Sequence, residues 1–333
     1  MVSDKDFRKA VELINKSQNV LITTHIRPDG DACGSIVAMA DSLTSLGKKV
    51  MPILLSPLPG WYQSLFTQKP AILGEDVNIE QLKEGFLAEF DLIMLVDVNS
   101  DSQLPKFADF LKQNEKPVIV LDHHMTGDGF GDIELIDTSA AATGLIVLEL
   151  LKCAGWPITE KIAQALFVAI STDTGWFRFS NTDSRVYKSC AELIEAGANP
   201  AQIHHSLYQN FSFARVKHMS AMLNSLELHF DARYASQHLL QQDFEKSGAF
   251  YKDTENLIDE CQQIGSVETA ALFVELKDGR IKCSLRSRGD VSVLEIAQKF
   301  GGGGHTMAAG VHLQGPLEKA EQLIKAEIEK RLR

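Results

Sequence analysis

The sequence predicts an α/β protein with a doubly wound, mostly parallel sheet in its N-terminal domain, a helical connector and a smaller α+β C-terminal domain. Two patterns favour this fold class. Short β-branched apolar runs alternate with helical patterns as far as about residue 190, which is typical of βαβ units. Nearer the C-terminus, two strand-like runs instead flank an Asp-Gly turn. The length of 333 residues also suits two hydrophobic cores better than one.

The elements of the N-terminal domain follow from hydrophobic periodicity. Apolar residues at spacings of three and four predict helices, whereas continuous β-branched runs predict buried strands of a parallel sheet. Gly47 is the expected end of the second helix. In chain order we predict a helix over 7–16, a strand over 19–24, a helix over 35–46, strands over 48–54, 91–97 and 117–122, and helices over 143–154 and 159–170.

The C-terminal half begins with a helical pattern over 186–226 that is interrupted near Pro200 and is expected to connect the domains. Beyond it, the turn Lys277-Asp278-Gly279 joins a strand over 269–276 to a strand over 280–285. These two strands indicate a hairpin in the second domain.

Ser292 and Glu295 have the spacing of a capping box, so a helix should start there and end at Phe300 before a run of four glycines. The predicted domain boundaries are 1–186 for a metal-binding catalytic domain, 187–228 for the connector and 229–333 for a substrate-binding domain. The active site is expected in the cleft between the first and the last of these.

The composition indicates a folded, acidic protein. Apolar residues make up 44% of the chain and charged residues 23%, and the formal net charge is -11 at pH 7. Because this charge repels long polyanions, no long nucleic acid is expected as a partner. A small phosphate ligand remains compatible, since a few arginines and a metal cluster can reverse the potential locally.

The five cysteines are scattered and include no Cys-x-x-Cys pair, which argues against a disulfide framework or a zinc site. Nowhere are about 18 apolar residues consecutive, so no membrane partner is expected and the cytoplasm is the default compartment. A homodimer is left open by the sequence.

Acidic and imidazole residues follow several of the apolar runs. Because ligands of parallel α/β sheets bind beyond the carboxyl ends of the strands, these side chains should converge on one crevice. Carboxylates gathered in a crevice raise each other's pKa and cannot all ionise unless a cation balances them. The clusters are His25-Ile26-Arg27-Pro28-Asp29-Gly30-Asp31, then Asp97, then Asp122-His123-His124, and Asp173 after a helix predicted to end at Ile170.

A metal ion is the simplest balancing cation. Carboxylates mixed with imidazoles, without a thiolate, suit manganese or magnesium better than structural zinc. The number of carboxylates suggests two ions, which at about 3.5 to 4 Å apart could share a bridging hydroxide as nucleophile for in-line displacement at phosphorus. Each cluster alone is compatible with a structural turn, but four together favour a metal site.

These clusters resemble the motifs of the DHH phosphoesterases, whose name is the Asp122-His123-His124 triplet. The segment from His25 to Ala32 is similar to the first motif of that family, Asp97 to the second, and Ser171-Thr172-Asp173-Thr174-Gly175 to the fourth. The segment from Gly301 to His305 resembles the associated C-terminal domain of the family. The resemblance therefore covers nearly the whole chain.

The resemblance implies a two-metal site. One ion would be held by His25, Asp29 and Asp97, and the second by Asp31, Asp97, His123 and Asp173, with Asp97 bridging. His124 would face the scissile phosphate as a catalytic group, and Asp122 would orient a histidine. The sequence departs from the family pattern after Asp97, where many relatives carry an arginine and this chain has Val98-Asn99-Ser100-Asp101.

In the second domain, the glycine run could bring backbone N–H groups close to an anion, so Gly302, Gly303 and Gly304 are predicted substrate contacts. The alternative is a helix end followed by a loose turn. The resemblance adds His305 and Arg286 as groups that contact the terminal phosphate or the distal nucleotide, while the role of Arg288 is left open. Phe177 and Phe179 could stack on a base, although core packing is the favoured role.

The resemblance to the nanoRNase branch of the family implies hydrolysis of very short 5'-phosphorylated RNA to mononucleotides, together with removal of the 3'-phosphate of 3'-phosphoadenosine 5'-phosphate. The expected partners are thus short RNA or dinucleotides and small phosphorylated nucleotides. Alternatives are a cyclic or linear dinucleotide signalling phosphodiesterase, an inorganic pyrophosphatase and a nucleotide-binding regulator without turnover. A long-strand exonuclease is disfavoured because the sequence has no basic groove.

Overall fold

The computed structural model describes residues 1–84, 89–125, 127–288 and 290–332, and it describes His305 by its backbone alone. Within these residues the chain divides into two compact units, which span Met1–Asn210 and Phe211–Arg333. The three-part division predicted above and the cleft between domains stay predictions. In the described residues, no helix combines the length and the apolar composition that crossing a membrane requires.

The first unit contains a six-stranded sheet in which every neighbouring pair of strands is parallel. The order β3-β2-β1-β4-β5-β6 reverses direction at β1 and β4, which places a switch point between them. The strands are β1 (Asn19–Thr23), β2 (Lys49–Leu54), β3 (Ala71–Ile72), β4 (Leu92–Val96), β5 (Val118–Asp122) and β6 (Ile133–Ile136).

Helices cover both faces of this sheet, so its central strands are apolar throughout. One core lies between the sheet and α1, α2 and α5 to α8, and the opposite core lies beneath α3 and α4. The helices are α1 (Asp4–Lys16), α2 (Gly30–Ser45), α3 (Ile79–Lys83), α4 (Phe107–Lys112), α5 (Thr143–Ala154), α6 (Glu160–Asp173), α7 (Ser184–Glu195) and α8 (Pro200–Tyr208).

Helices α2 and α6 approach each other closely because glycines line their contact. A Cβ atom added at Gly34 would lie 2.3 Å from the carbonyl oxygen of Ala165, and one added at Gly30 would lie 2.3 Å from Oγ1 of Thr172. The close approach brings the first turn of α2, which contains Asp31, beside the last turn of α6.

The second unit contains a six-stranded mixed sheet in the order β11-β12-β10-β9-β8-β7, in which only β8 and β9 are parallel neighbours. Helices α11 and α12 cover one face, and α9 covers the other. Its elements are α9 (Phe213–Asn224), β7 (Glu227–His229), β8 (Tyr234–Leu239), α10 (Gln241–Ser247), β9 (Thr269–Glu275), β10 (Arg280–Ser287), α11 (Val293–Lys299), β11 (Gly303–His305), β12 (Ala308–Gln314) and α12 (Leu317–Leu332).

The predicted fold class is confirmed, with two corrections to its elements. Helix α2 begins at Gly30 and not at residue 35, because the side chain of Asp29 caps it by accepting from the N–H groups of Asp31 and Ala32. Helix α6 continues past Ile170, so Asp173 is its last residue and does not follow the helix.

The glycine run is more ordered than a loose turn. Gly301 has a φ of 78° just beyond the end of α11, whereas Gly303 and Gly304 form β11 and pair with β12. A Cβ atom added at Gly304 would lie 2.5 Å from the carbonyl oxygen of Ala308, and one at Gly302 would lie 2.3 Å from that of Gly310. Close strand packing therefore accounts for glycine at both positions.

Candidate metal centre

Six residues predicted as metal ligands come together at one edge of the first sheet. His25, Asp97 and His123 each follow a strand of the sheet, namely β1, β4 and β5, whose carboxyl ends point the same way. Asp29 and Asp31 lie at the start of α2, and Asp173 ends α6. The switch point of the sheet thus collects side chains from five separate elements.

The first group consists of His25, Asp29 and Asp97. Nε2 of His25 lies 3.5 Å from Oδ2 of Asp97 and 3.8 Å from Oδ1 of Asp29. The donor atoms of all three lie within 4.8 Å of one another, so they could hold one metal ion. Asp97 has a φ of 58°, and its N–H donates to the carbonyl oxygen of Leu121 at 2.9 Å, which ties the end of β4 to β5.

The second group consists of Asp31, His123 and Asp173. Nε2 of His123 lies 3.9 Å from Oδ2 of Asp31 and 3.3 Å from Oδ2 of Asp173. Nε2 of His123 also lies 3.6 Å from Oδ1 of Asp97. Since Oδ2 of Asp97 faces His25, the two oxygens of Asp97 face the two groups separately.

The histidines of the two groups, His25 and His123, present Nε2 to the carboxylates because Nδ1 is used elsewhere. Nδ1 of His25 lies 2.9 Å from the carbonyl oxygen of Ile26, and Nδ1 of His123 lies 3.2 Å from that of Ala140. A carbonyl oxygen can only accept, so Nδ1 carries a proton in each ring. Loss of any proton from Nε2 then leaves the tautomer that a metal ligand requires.

Asp31 is fully buried and is held by the start of α5. The N–H groups of Thr143 and Gly144 donate to its two oxygens at 2.6 and 2.9 Å. The hydroxyl of Thr143 donates to Oδ1 of Asp97 at 3.1 Å. The positive end of a helix therefore stabilises part of the negative charge of the cluster.

The remaining negative charge is unbalanced. Burial, with the carboxylates of Asp97 and Asp173, raises the pKa of Asp31 well above its usual range. Burial, with the carboxylates of Asp97 and Asp29, does the same to the pKa of Asp173. Although burial opposes it, hydrogen bonding to Asp29 and Asp97 raises the pKa of His25 to about 11. A cluster that retains protons in this way, with oxygen and imidazole donors, fits divalent cations.

His124 differs from the ligand histidines. Its Nδ1 lies 2.7 Å from Oδ1 of the fully buried Asp122, and this hydrogen bond raises the pKa of His124 to about 9. Its donor atoms also lie close enough to Asp97 and His123 to form a third group that could hold a metal ion. Because Nδ1 is already occupied by Asp122, the two groups described above are better suited to hold ions.

The predicted substrate contacts belong to the second unit. Nε of Arg286 donates to Oδ1 of Asp259 at 3.0 Å, whereas Arg288 donates to the backbone carbonyl oxygens of Ile264, Gly265 and Val267. These contacts give Arg288 a structural role in holding that loop. The prediction for His305 concerns a side chain outside the described part of the chain.

The two phenylalanines after the fourth motif have different environments. Phe177 is partly buried and stacks on Tyr187, with ring centroids 5.7 Å apart. Phe179 is 55% exposed and its ring lies against Gly175. Core packing therefore explains an aromatic residue at position 177 but does not explain the exposed ring of Phe179.

Three residues that support the site were not predicted from the sequence. Thr143 was recognised only as a helix start. Ala140 and Asn181 carried no signal, because Ala140 acts through its carbonyl oxygen and Asn181 binds the carbonyl oxygen of Asp173. The position of Thr143 at the start of a helix could have indicated a contact with the Asp31 segment.

Comparison with known proteins gives the following matches. Residues 19–170 match the DHH family, N-terminal domain, and residues 234–333 match the DHHA1 domain. The bifunctional oligoribonuclease and PAP phosphatase NrnA of Thermus thermophilus is 33% identical over 89% of this chain and 84% of its own. The protein of the same name from Bacillus subtilis is 26% identical over 91% of this chain and 92% of its own.

A similar fold has also been solved. The crystal structure of an exopolyphosphatase-related protein from Bacteroides fragilis matches with a TM-score of 0.92 at 24% identity, covering 99% of this chain and 97% of that chain. At this identity the likeness concerns the fold.

The two groups predict a metal stoichiometry that can be dissected by substitution. Titration with Mn²⁺, monitored by calorimetry, should show two ions bound to the wild-type protein. His25→Ala and Asp173→Ala should each retain one, whereas Asp97→Asn should weaken both because Asp97 faces both groups. Binding should weaken as the pH falls, since ions must displace protons held by Asp31 and Asp173.

Asp109→Asn, which changes an exposed carboxylate on α4, is the matched control and should bind two ions as tightly as the wild type. Loss of only one ion in Asp97→Asn would show that Asp97 is not shared.

Proposed function

Because the chain belongs to the DHH family of phosphoesterases, we propose that it hydrolyses very short 5'-phosphorylated oligoribonucleotides, from dinucleotides upward, to mononucleotides. We further propose that it removes the 3'-phosphate of 3'-phosphoadenosine 5'-phosphate. Relatives that match over most of their length are named for these two activities. The observation that carries the proposal is that the residues predicted as ligands lie close together in two groups, with one oxygen of Asp97 toward each.

Two divalent ions, manganese in the first instance, would be held by His25, Asp29 and Asp97 and by Asp31, Asp97, His123 and Asp173. When bound, they supply an activated water nucleophile and Lewis-acid stabilisation of the charge on the phosphate. The protein holds the ligands before any ion binds, since the hydrogen bonds of His25, His123 and Asp31 fix their orientation. Such fixed donors need little rearrangement on binding.

His124 would act on the leaving oxygen. Its pKa of about 9 keeps the imidazole protonated at neutral pH, and Asp122 holds the ring by its Nδ1. Nε2 is then left to donate a proton or a hydrogen bond to the oxygen that departs from phosphorus. The same group serves a diester and a 3'-monoester, because both reactions break a bond between phosphorus and an ester oxygen.

Arg286 and the segment Gly302 to His305 would bind the phosphate at the other end of the substrate. Arg286 would exchange its contact with Asp259 for that phosphate, because a doubly charged phosphate attracts a guanidinium more strongly than a carboxylate that is 45% exposed. A small substrate is consistent with the net charge of -11, which disfavours a long polyanion.

The proposal predicts a defined substrate range. In the presence of Mn²⁺, the purified protein should convert 5'-phosphorylated diadenylate to adenosine monophosphate, and 3'-phosphoadenosine 5'-phosphate to adenosine monophosphate and phosphate. Chromatographic product analysis should show little turnover of cyclic diadenylate, pyrophosphate or long RNA. The His123→Ala variant should convert neither of the two expected substrates. Turnover of pyrophosphate or cyclic diadenylate, with both expected substrates untouched, would contradict the proposal.

Replacement of His124 separates catalysis from metal binding. His124→Gln can still donate to Asp122 but cannot transfer a proton, so kcat should fall by about 100-fold or more while two Mn²⁺ ions still bind. Parallel kinetics and calorimetry measure the two effects. If His124→Gln instead loses one ion, His124 is a ligand and the catalytic role is wrong.

Replacement of Arg286 tests the phosphate contact. Arg286→Gln should raise the KM for phosphorylated diadenylate by about 10-fold or more, because a hydrogen bond to a charged group is lost. Arg280→Gln is the matched control, since Arg280 lies on the same strand and pairs with exposed Asp278. An equal KM in the two variants would show that Arg286 does not contact the phosphate.

A further inference from the structure

Residues 137–142 connect β6 to α5, and together with the first two residues of α5 they are called the β6–α5 connection below. This connection contacts two ligands of the second group through its backbone. The carbonyl oxygen of Ala140 accepts from Nδ1 of His123 at 3.2 Å, and the N–H groups at the start of α5 donate to Asp31 at 2.6 and 2.9 Å. A shift of the connection would therefore move both ligands.

Asn181 extends this support to the third ligand of the second group. Its Nδ2 donates to the carbonyl oxygen of Ala141 in the connection at 3.3 Å and to that of Asp173 at 3.1 Å. One side-chain amide thus ties the end of α6 to the β6–α5 connection. All three ligands of the second group depend on the position of this connection.

The first group is supported differently. His25 bonds to the carbonyl oxygen of the adjacent Ile26, and Asp29 accepts from the first N–H groups of its own helix α2. These contacts are local in sequence and do not involve residues 137–144. The two groups therefore have separate supports, apart from Asp97, which they share. The hydroxyl of Thr143 donates to Oδ1 of Asp97, which is the oxygen on the side of the second group.

The β6–α5 connection is itself anchored at Asp137, which is 1% exposed. Oδ1 of Asp137 accepts from the N–H and the hydroxyl of Ser139 at 3.0 and 2.6 Å, which fixes the turn that follows. Oδ2 accepts from Nη1 of Arg185 on α7 at 2.6 Å. Nε of Arg185 donates to Glu149 on α5 at 2.9 Å, so one guanidinium joins the connection to two helices.

We propose that Arg185, Asp137 and Asn181 are positioning residues that act through the β6–α5 connection and set the affinity of the second group for its metal ion, without contacting the ion or the substrate. The proposal rests on the metal-binding function proposed above. Oδ1 of Asp137 also lies 3.2 Å from the N-terminal ammonium of Met1, so removing the guanidinium takes the donor from Oδ2 alone. Loss of that donor from a buried carboxylate is unfavourable and should displace the connection. Loss of partners that orient metal ligands typically weakens metal binding by about 10-fold to 100-fold.

The test is a Mn²⁺ titration of the full-length protein without substrate. Arg185→Met should keep one site at the wild-type affinity and weaken the other by about 10-fold to 100-fold. Lys152→Met is the matched control, because Lys152 on α5 also pairs with α7, through Glu192 at 2.6 Å, and does not touch the connection. Arg185→Lys, which keeps a cation for Asp137, should recover part of the lost affinity.

Equal weakening of both sites, or two unchanged sites in a folded Arg185→Met protein, would overturn the proposal. If Arg185→Met does not fold, Asn181→Ala decides, because Asn181 is exposed and its loss frees Asp173 from the connection. Selective weakening of one site supports the proposal, and unchanged binding overturns it. Since the titration involves no substrate, a wild-type protein that binds two ions but hydrolyses neither substrate would refute the proposed function alone.

Discussion

The electrostatics of the first unit are dominated by mutual repulsion among carboxylates at the switch point of its sheet. Asp31, Asp97 and Asp173 lie within reach of one another, and in the described part of the chain their ion-pair partners are histidines, not lysine or arginine. Burial in a medium of low polarity makes such a cluster costly unless a cation enters it. These three carboxylates lie in or directly beside packed strands and helices, which opposes relaxation by moving apart.

The rigid elements explain why the site has two halves. Glycines at the contact between α2 and α6 let Asp31 and Asp173 approach, while the start of α5 donates two N–H groups to Asp31. Asp97, with its left-handed backbone conformation, directs one carboxylate oxygen to each half. The shared carboxylate would couple the two ions, whereas the separate supports would let each half respond to substitution independently.

Much of the fold, and the convergence of the candidate ligands, could be predicted from the sequence, because apolar runs mark the central strands and their ends carry the acidic and imidazole residues. The prediction placed His25, Asp97 and His123 at strand ends, where the structure has them. It placed the end of α6 too early, and it misplaced the start of α2 because Asp29 was read as a ligand and not also as a helix cap. A side chain with two roles is difficult to recognise from spacing alone.

Other features could not be predicted from spacing. Backbone groups such as the carbonyl oxygen of Ala140 are identical at every position, so the orientation of His123 depends on the tertiary structure. The glycine run was predicted as an anion-binding nest, but contacts with β12 require glycine at two of its positions, and composition does not distinguish strand packing from phosphate binding.

We expect anomalous diffraction at the manganese edge, from crystals soaked in Mn²⁺, to show two peaks about 3.5 to 4 Å apart on either side of the Asp97 carboxylate. A single peak, or two peaks that do not share Asp97, would contradict the shared two-metal centre.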